Sequence, residues 1–402
     1  MSERRLQLGA AGLGRAFQFM LPAFRGHPRV RLAAAADPRP EARARFSSEF
    51  AAPAYDSVEA LCRDGNVEAV YVATPHQLHA PHAQLAAQNG KHILVEKPMA
   101  LGLADCAAMV EAASRAGVRL VVGHSHSFDE PIRRARAIIA SGEVGALRMI
   151  TALNFTDFLY RPRRREELVT ALGGGVIFNQ APHQVDIIRL LGGGRVRSVR
   201  AAAGSWDRDR PTEGAYSAFL TFEDGAFASL TYSGFAHFDS DEWCDNIGEN
   251  GAPKSEAYGA ARRLLAGLSS DAERDLKHAR NYGGPRAAPA PTAPQERFNP
   301  HFGVVVASCE RADLRPTPKG VMIYDDEAAR LEPVPPPAPA RGAVLDELCD
   351  AIFAAREPVH GGAWGLATME VCLAMLDSAR EGREITLRHQ TGIAGETPQR
   401  RT

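Results

Sequence analysis

The chain has 402 residues, 45% of them hydrophobic and 24% charged, a length that suits two domains rather than one. A formal net charge of −1 excludes a general electrostatic attraction to nucleic acid or anionic lipid. The six cysteines, at 62, 106, 244, 309, 349 and 372, lie too far apart for a zinc knuckle or a redox pair. The N-terminus has no basic segment followed by a cleavable apolar stretch, and no apolar run is long enough to span a bilayer. The expectation is a soluble, cytoplasmic protein with reduced cysteines.

The first third alternates apolar runs with helical spacing. Leu6 to Ala11 predicts a strand ending in glycines, Arg15 to Phe24 a helix, and Val30 to Ala36 a strand ending at Asp37. Helix Glu41 to Phe50, strand Ala69 to Ala73, helix His79 to Asn89 and strand His92 to Val95 follow. Helix Ala104 to Ala116 and strand Arg119 to Gly123 close the series. Continuous apolar strands alternating with helices predict a parallel sheet covered on both faces. The pattern then changes. A helix is expected over Pro131 to Ser141 and a strand over Leu147 to Leu153. One continuous helix is expected from the glycines at 173–175 to about Leu191. Strands Val199 to Ala203, Tyr216 to Phe222 and Ala226 to Tyr232 indicate an α+β region with a mainly antiparallel sheet. Residues 237–300 are polar and read as an insertion or loop. Strands resume at Phe302 to Ser308 and Val321 to Tyr324, a proline-rich linker covers Pro333 to Pro339, and helices end the chain at Ala343 to Ala355 and Leu366 to Ala379.

Three constellations carry chemistry. Gly12 and Gly14 follow a strand and open a helix, and Asp37 ends the next strand. In a dinucleotide fingerprint such glycines let the pyrophosphate approach backbone N–H groups, and the acid accepts from the adenosine ribose. Phe17 stands at the third glycine position, which puts helix–sheet packing there in question. A carboxylate at 37 repels the extra phosphate of NADP, with Arg39 partly offsetting it, so NAD is expected over NADP. Glu96-Lys97-Pro98 follows a buried strand at the carboxyl end of the sheet, where ligands of such folds bind. A partly desolvated lysine there suits proton transfer. Arg161, Arg163, Arg164 and Arg165 precede the glycine run, and arginine forks bind carboxylates bidentately. A charge cluster is as often a solvated face. His124 and His126 follow the strand ending at Gly123 and are candidates to line a pocket.

Together the glycine motif, Ala73-Thr74-Pro75 with His79, Glu96-Lys97-Pro98, and the run from Gly173 through Asn179 and His183 to Asp186 resemble the glucose–fructose oxidoreductase/inositol dehydrogenase (Gfo/Idh/MocA) family. The resemblance implies an α/β protein. An N-terminal Rossmann domain over residues 1–125 is a doubly wound parallel sheet. A C-terminal α+β domain over 126–390, with an open, mainly antiparallel sheet, binds substrate and oligomerises. It implies a nicotinamide cofactor held by Gly12, Gly14, Asp37, Thr74, Pro75, His79 and Glu96, a cis bond before Pro98, and Lys97 and His183 as catalytic residues. Sugar and inositol dehydrogenases of the family commonly carry aspartate where Asn179 stands, four residues before the histidine. On a helix the two would share a face. An Asn–His pair orients the imidazole without adding charge, which disfavours polyol oxidation.

Asp157 to Arg163, Cys309 to Arg315 and the stretch from His360 to Trp364 are similar to the phthalate-pathway branch of the family. That similarity implies NAD-dependent oxidation of a carboxylated aromatic cis-dihydrodiol, such as 4,5-dihydro-4,5-dihydroxyphthalate, with Asn179, Arg161, Arg163 and His126 contacting substrate. The alternatives are a sugar or inositol dehydrogenase and a non-catalytic dinucleotide-binding sensor. The expected partners are a small carboxylated substrate and a second copy of the chain, as homodimer or homotetramer. Neither a metal, nucleic acid nor a membrane is expected.

Overall fold

The computed structural model describes residues 4–123, 126–254, 257–287, 297–336, 338–339 and 341–396. The chain forms two compact units: residues 1–124, 275–290 and 338–369 make the first, and 125–274, 291–337 and 370–402 the second.

The first unit is built on six parallel strands: β1 (Leu6–Ala11), β2 (Val30–Ala36), β3 (Ala54–Tyr55), β4 (Ala69–Val72), β5 (His92–Glu96) and β6 (Leu120–Gly123). Their order is β3-β2-β1-β4-β5-β6, a doubly wound sheet whose strand order reverses beside β1. All four residues of β4 are buried, as expected for a strand covered on both faces. Two later segments complete this unit. Tyr282 is fully buried, sets its ring edge-on to Phe17 at 5.0 Å and donates its hydroxyl to Glu49 Oε2 at 2.8 Å. Phe17 therefore packs without a glycine: its ring also meets Phe24 and Phe46 at 5.7 and 6.3 Å. The segment around His360 lies along β6, where Val122 donates to the His360 carbonyl at 2.8 Å.

Burial lowers the imidazole pKa of His27, His79, His82 and His92, all in this unit, below the ordinary 6.5. The unfolded chain then binds more protons than the folded one as pH falls below 6.5. The stability these groups contribute is present above that value and is lost as pH falls toward the folded-state values. We expect Tm to drop between about pH 7 and about pH 5.5, followed by thermal unfolding across that range. A flat profile would contradict it.

The second unit holds nine strands: β7 (Leu147–Phe155), β8 (Val196–Gly204), β9 (Ala215–Phe222), β10 (Phe227–Ser233), β11 (Val304–Cys309), β12 (Ala312–Thr317), β13 (Gly320–Asp325), β14 (Ala329–Pro333) and β15 (Ile385–Thr386). The order is β14-β13-β12-β11-β7-β10-β9-β8-β15. The pairing is antiparallel except between β7 and β10, which run parallel. Every residue of the helix Ala181–Leu191, which packs on this sheet, is buried. The opposite face leaves Met149, Phe219 and Phe227 exposed.

Three expectations need correction. The helix opening at the glycine run is broken at Gln180 (φ −121°) into Gly175–Asn179 and Ala181–Leu191. Residues 237–300 are not simply a loop, since they contain the helices Ala260–Leu265 and Ser270–Ala279. Strands β12 and β14 extend the sheet beyond the strands expected there. Among the described residues no helix is long and apolar enough to cross a membrane.

Candidate active site

In the first unit the turn after β1 packs tightly on the loop after β4. Gly12 has φ +94°, and a Cβ there would lie 2.6 Å from the Ala73 carbonyl oxygen, so only glycine fits. Asp37, at the end of β2, accepts from the Leu13 N–H at 2.8 Å and from the Arg39 N–H at 2.9 Å. The Arg39 guanidinium pairs with both Asp37 oxygens at 3.0 and 3.1 Å and also donates to the carbonyls of Leu13 and Tyr282. The arginine is thus engaged with the acid and nearby carbonyls. This arrangement fits NAD: the glycine turn admits a pyrophosphate against backbone, and a carboxylate stands where the ribose hydroxyls would bind.

His79 is buried between the two remaining loops, with Nδ1 2.8 Å from the Pro98 carbonyl and Nε2 2.9 Å from the Thr74 carbonyl. Burial is the dominant influence on it and lowers its pKa. The imidazole thereby ties the Thr74-Pro75 turn to the turn containing Lys97 and Pro98. Glu96 Oε1 accepts the Tyr71 hydroxyl at 2.6 Å, fixing the end of β5 just before Lys97. The Lys97–Pro98 peptide is cis, as the resemblance implied.

In the second unit His183 and His126 form one aromatic cluster. Their rings meet edge to face, with centroids 4.9 Å apart at 78°. Phe302 lies 5.2 Å from His126 and 5.1 Å from His183, and Tyr232 stacks on Phe302 at 6.0 Å. His126 Nδ1 contacts Asp129 Oδ2 at 2.8 Å. His124 lies outside the described residues. Arg161 sits beside this cluster, between Asp157 (Nε–Oδ1 3.3 Å) and Glu249 (Nη1–Oε2 3.7 Å), with 41% of its side chain accessible. Burial opposes its charge, but Glu249, Tyr232 and Asp157 together raise its pKa above the ordinary value. Arg163 is placed differently. Its guanidinium lies 3.6 Å over the Phe158 ring and donates to the Phe158 carbonyl at 2.6 Å, and its backbone N–H donates to Glu273 at 2.7 Å. Burial pushes its pKa down to about 10.

Asn179 donates its amide to the carbonyls of Gly173 at 3.1 Å and Gly175 at 2.7 Å. An aspartate here would face two carbonyl oxygens with no proton to give, which accounts for asparagine at this position. The break at Gln180 also removes the continuous helix on which residues 179 and 183 would have shared a face. Asp186 and Arg189 are fully buried on the following helix. Burial lowers the pKa of Arg189 to about 10, with Asp186 opposing.

Glu249 escaped the sequence reading because it lies in a polar segment without periodicity. Burial would raise its pKa, but Arg161, His126, His301 and Lys254 hold it below the ordinary value. Its Oε1 has no hydrogen-bond partner among the described residues. Asp129 was also missed, though its spacing of three from His126 was visible. No grouping of side chains suited to a metal ion occurs among the described residues.

A doubly wound sheet with a glycine turn and an acid after β2, joined in one chain to an open nine-stranded sheet, defines a nicotinamide-dependent oxidoreductase. The family of oxidoreductases with an NAD-binding Rossmann fold matches residues 6–124, and the GFO/IDH/MocA C-terminal domain matches residues 132–253. The chain belongs to the GFO/IDH/MocA family and binds NAD. It is 46% identical, over 93% of its own length and 95% of the relative's, to the 1-carboxy-3-chloro-3,4-dihydroxycyclohexa-1,5-diene dehydrogenase of Comamonas testosteroni. A solved dehydrogenase structure from Bordetella bronchiseptica RB50 is 44% identical, with a TM-score of 0.89 over 95% of this chain and 100% of that one. The WlbA dehydrogenase of Bordetella pertussis, solved with NADH and UDP-GlcNAcA, shares the fold at 24% identity, with a TM-score of 0.69 over 96% of this chain and 99% of that one.

Proposed function

We propose that the chain oxidises a carboxylated cis-dihydrodiol of an aromatic acid to the corresponding catechol. The observation that carries this reading is Arg161, a permanently charged and partly accessible guanidinium beside the His126–His183–Phe302 cluster. A flat ring fits against aromatic side chains, and a guanidinium fork fits a ring carboxylate. The Comamonas testosteroni relative, whose name describes a carboxylated cyclohexadiene diol, supports the same class.

NAD, when bound, supplies the hydride acceptor. We assign Lys97 and His183 to the reacting hydroxyl, one removing its proton and the other orienting it. Arg161 anchors the carboxylate, and Arg163 braces the loop on Phe158. The carbinol carbon loses hydride and its oxygen loses a proton, giving a ketone. Tautomerisation to the catechol then draws the reaction forward through aromaticity. Gly12, Gly14, Asp37, Thr74 and Pro75 are assigned to cofactor binding, with His79 and Glu96 holding the loops that present them.

The test is a panel of alcohols with NAD: phthalate 4,5-dihydrodiol, benzoate dihydrodiols, an uncarboxylated benzene dihydrodiol and myo-inositol, read by NADH absorbance. Turnover confined to carboxylated diols is the expected result. Turnover on inositol alone would discard this substrate class and leave the family intact.

A further inference from the structure

His183 lacks the acidic neighbour that a histidine base commonly uses, because position 179 is an asparagine whose amide is turned to two carbonyls. A carboxylate is nonetheless close, one ring away. Asp129 occupies the N-cap of the helix Glu130–Ser141, where an aspartate ordinarily accepts from the first free backbone N–H groups. Its side chain makes no such cap. It reaches instead to His126 Nδ1 at 2.8 Å, with both side chains more than nine-tenths buried. His126 in turn stands edge to face with His183, and Phe302 packs on both rings. A residue diverted from a stabilising local role to a buried imidazole is serving that imidazole.

We propose that Asp129 and His126 are positioning residues for the oxidation, a carboxylate–imidazole pair that supports His183 in place of an acid at position 179. Asp129 accepts the Nδ1 proton of His126 and so fixes its tautomer and ring plane. The fixed ring and Phe302 hold the His183 imidazole. The Asp129 charge, relayed through a polarised ring in a buried setting, favours the imidazolium that forms when His183 receives the hydroxyl proton. No proton leaves the His126–Asp129 pair, so the step balances as before: one hydride to NAD and one proton to the base. The other charged groups around the cluster are Glu249, Arg161, His301 and Asp186. Glu249 adds a second negative charge near His126, with Arg161 opposing it.

The inference rests on the proposed assignment of His183, and its test separates the two. Asp129→Asn, Asp129→Glu and His126→Asn are compared with the parent enzyme on whichever alcohol the panel shows to turn over, so an error in substrate class leaves the comparison readable. For Asp129→Asn we expect kcat to fall roughly 10- to 100-fold and KM to stay within about threefold. The acid limb of kcat/KM should move to lower pH by about one unit. Asp129→Glu should recover most of the rate, and NADH binding by fluorescence should be unchanged throughout. Raised KM at unchanged kcat would make His126 a substrate contact and overturn the proposal. Equal impairment in Asp129→Asn and Asp129→Glu, or an unmoved acid limb, would overturn it as well. Independently of any substrate, the parent protein should show a downfield proton resonance from His126 Nδ1–H that Asp129→Asn removes, and absence of that resonance in the parent would overturn the pairing. Loss of rate in His183→Asn with none in His126→Asn would retain the proposed base and reject its support.

Discussion

Replacing Lys97 with alanine is expected to lower kcat by about 10²- to 10⁴-fold, the range a positioned acid–base group contributes, while NAD binds as before. The two effects separate because different elements carry them. The glycine turn and Asp37 are held by β1, β2, Arg39 and Tyr282. Lys97 follows β5, at a strand end fixed by the Tyr71–Glu96 hydrogen bond and a turn fixed by His79. Truncating the lysine leaves both supports in place. Stopped-flow NADH formation and fluorescence titration with NADH measure the two quantities on one preparation. A variant that turns over normally would exclude the lysine from the chemistry.

Replacing Arg161 with alanine is expected to raise KM for the carboxylated diol roughly 10- to 100-fold, with kcat changed much less. Hydrogen bonds to a charged group contribute about 1.5–3 kcal/mol, and each 1.4 kcal/mol is about tenfold in affinity. The upper end is unlikely to be exceeded because Arg161 is 41% accessible, so water screens part of the interaction. Arg161→Lys should recover part of the affinity, since a lysine restores the charge but not the fork. The matching methyl ester of the substrate serves as the control and should bind parent and variant alike. An unchanged KM for the acid would remove Arg161 as the anchor. Arg163 would not simply take its place, because its guanidinium is already committed to the Phe158 ring and carbonyl.

Much of the first unit was legible because its signals are local. Apolar runs such as Ala69–Val72 announce buried strands whatever lies far away in sequence, and the Gly12 turn is a property of four or five residues. The second unit was read less completely. Strand β14, Ala-Arg-Leu-Glu-Pro, is a largely exposed edge and so lacks alternation, and β12 carries Pro316, which cannot donate to a ladder. The helix Ala260–Leu265 buries none of its residues, so no apolar stripe marked it.

The sequence by itself determined the class of fold, the cofactor turn, the acid at 37 and the candidates Lys97 and His183, because each sits in a short motif whose chemistry depends on near neighbours. Tertiary structure decided what those residues touch. It turned Asn179 toward the glycine loop and broke the helix at Gln180. It separated Arg161, beside Glu249, from Arg163, laid on Phe158. It brought Tyr282 to Phe17 across 265 residues of chain, 282 minus 17, and set His126 against His183 and Phe302. Local pattern reports what a residue can do. Burial, ring contacts and ion pairs arise between distant segments, and only the packed chain fixes which of those capacities is used.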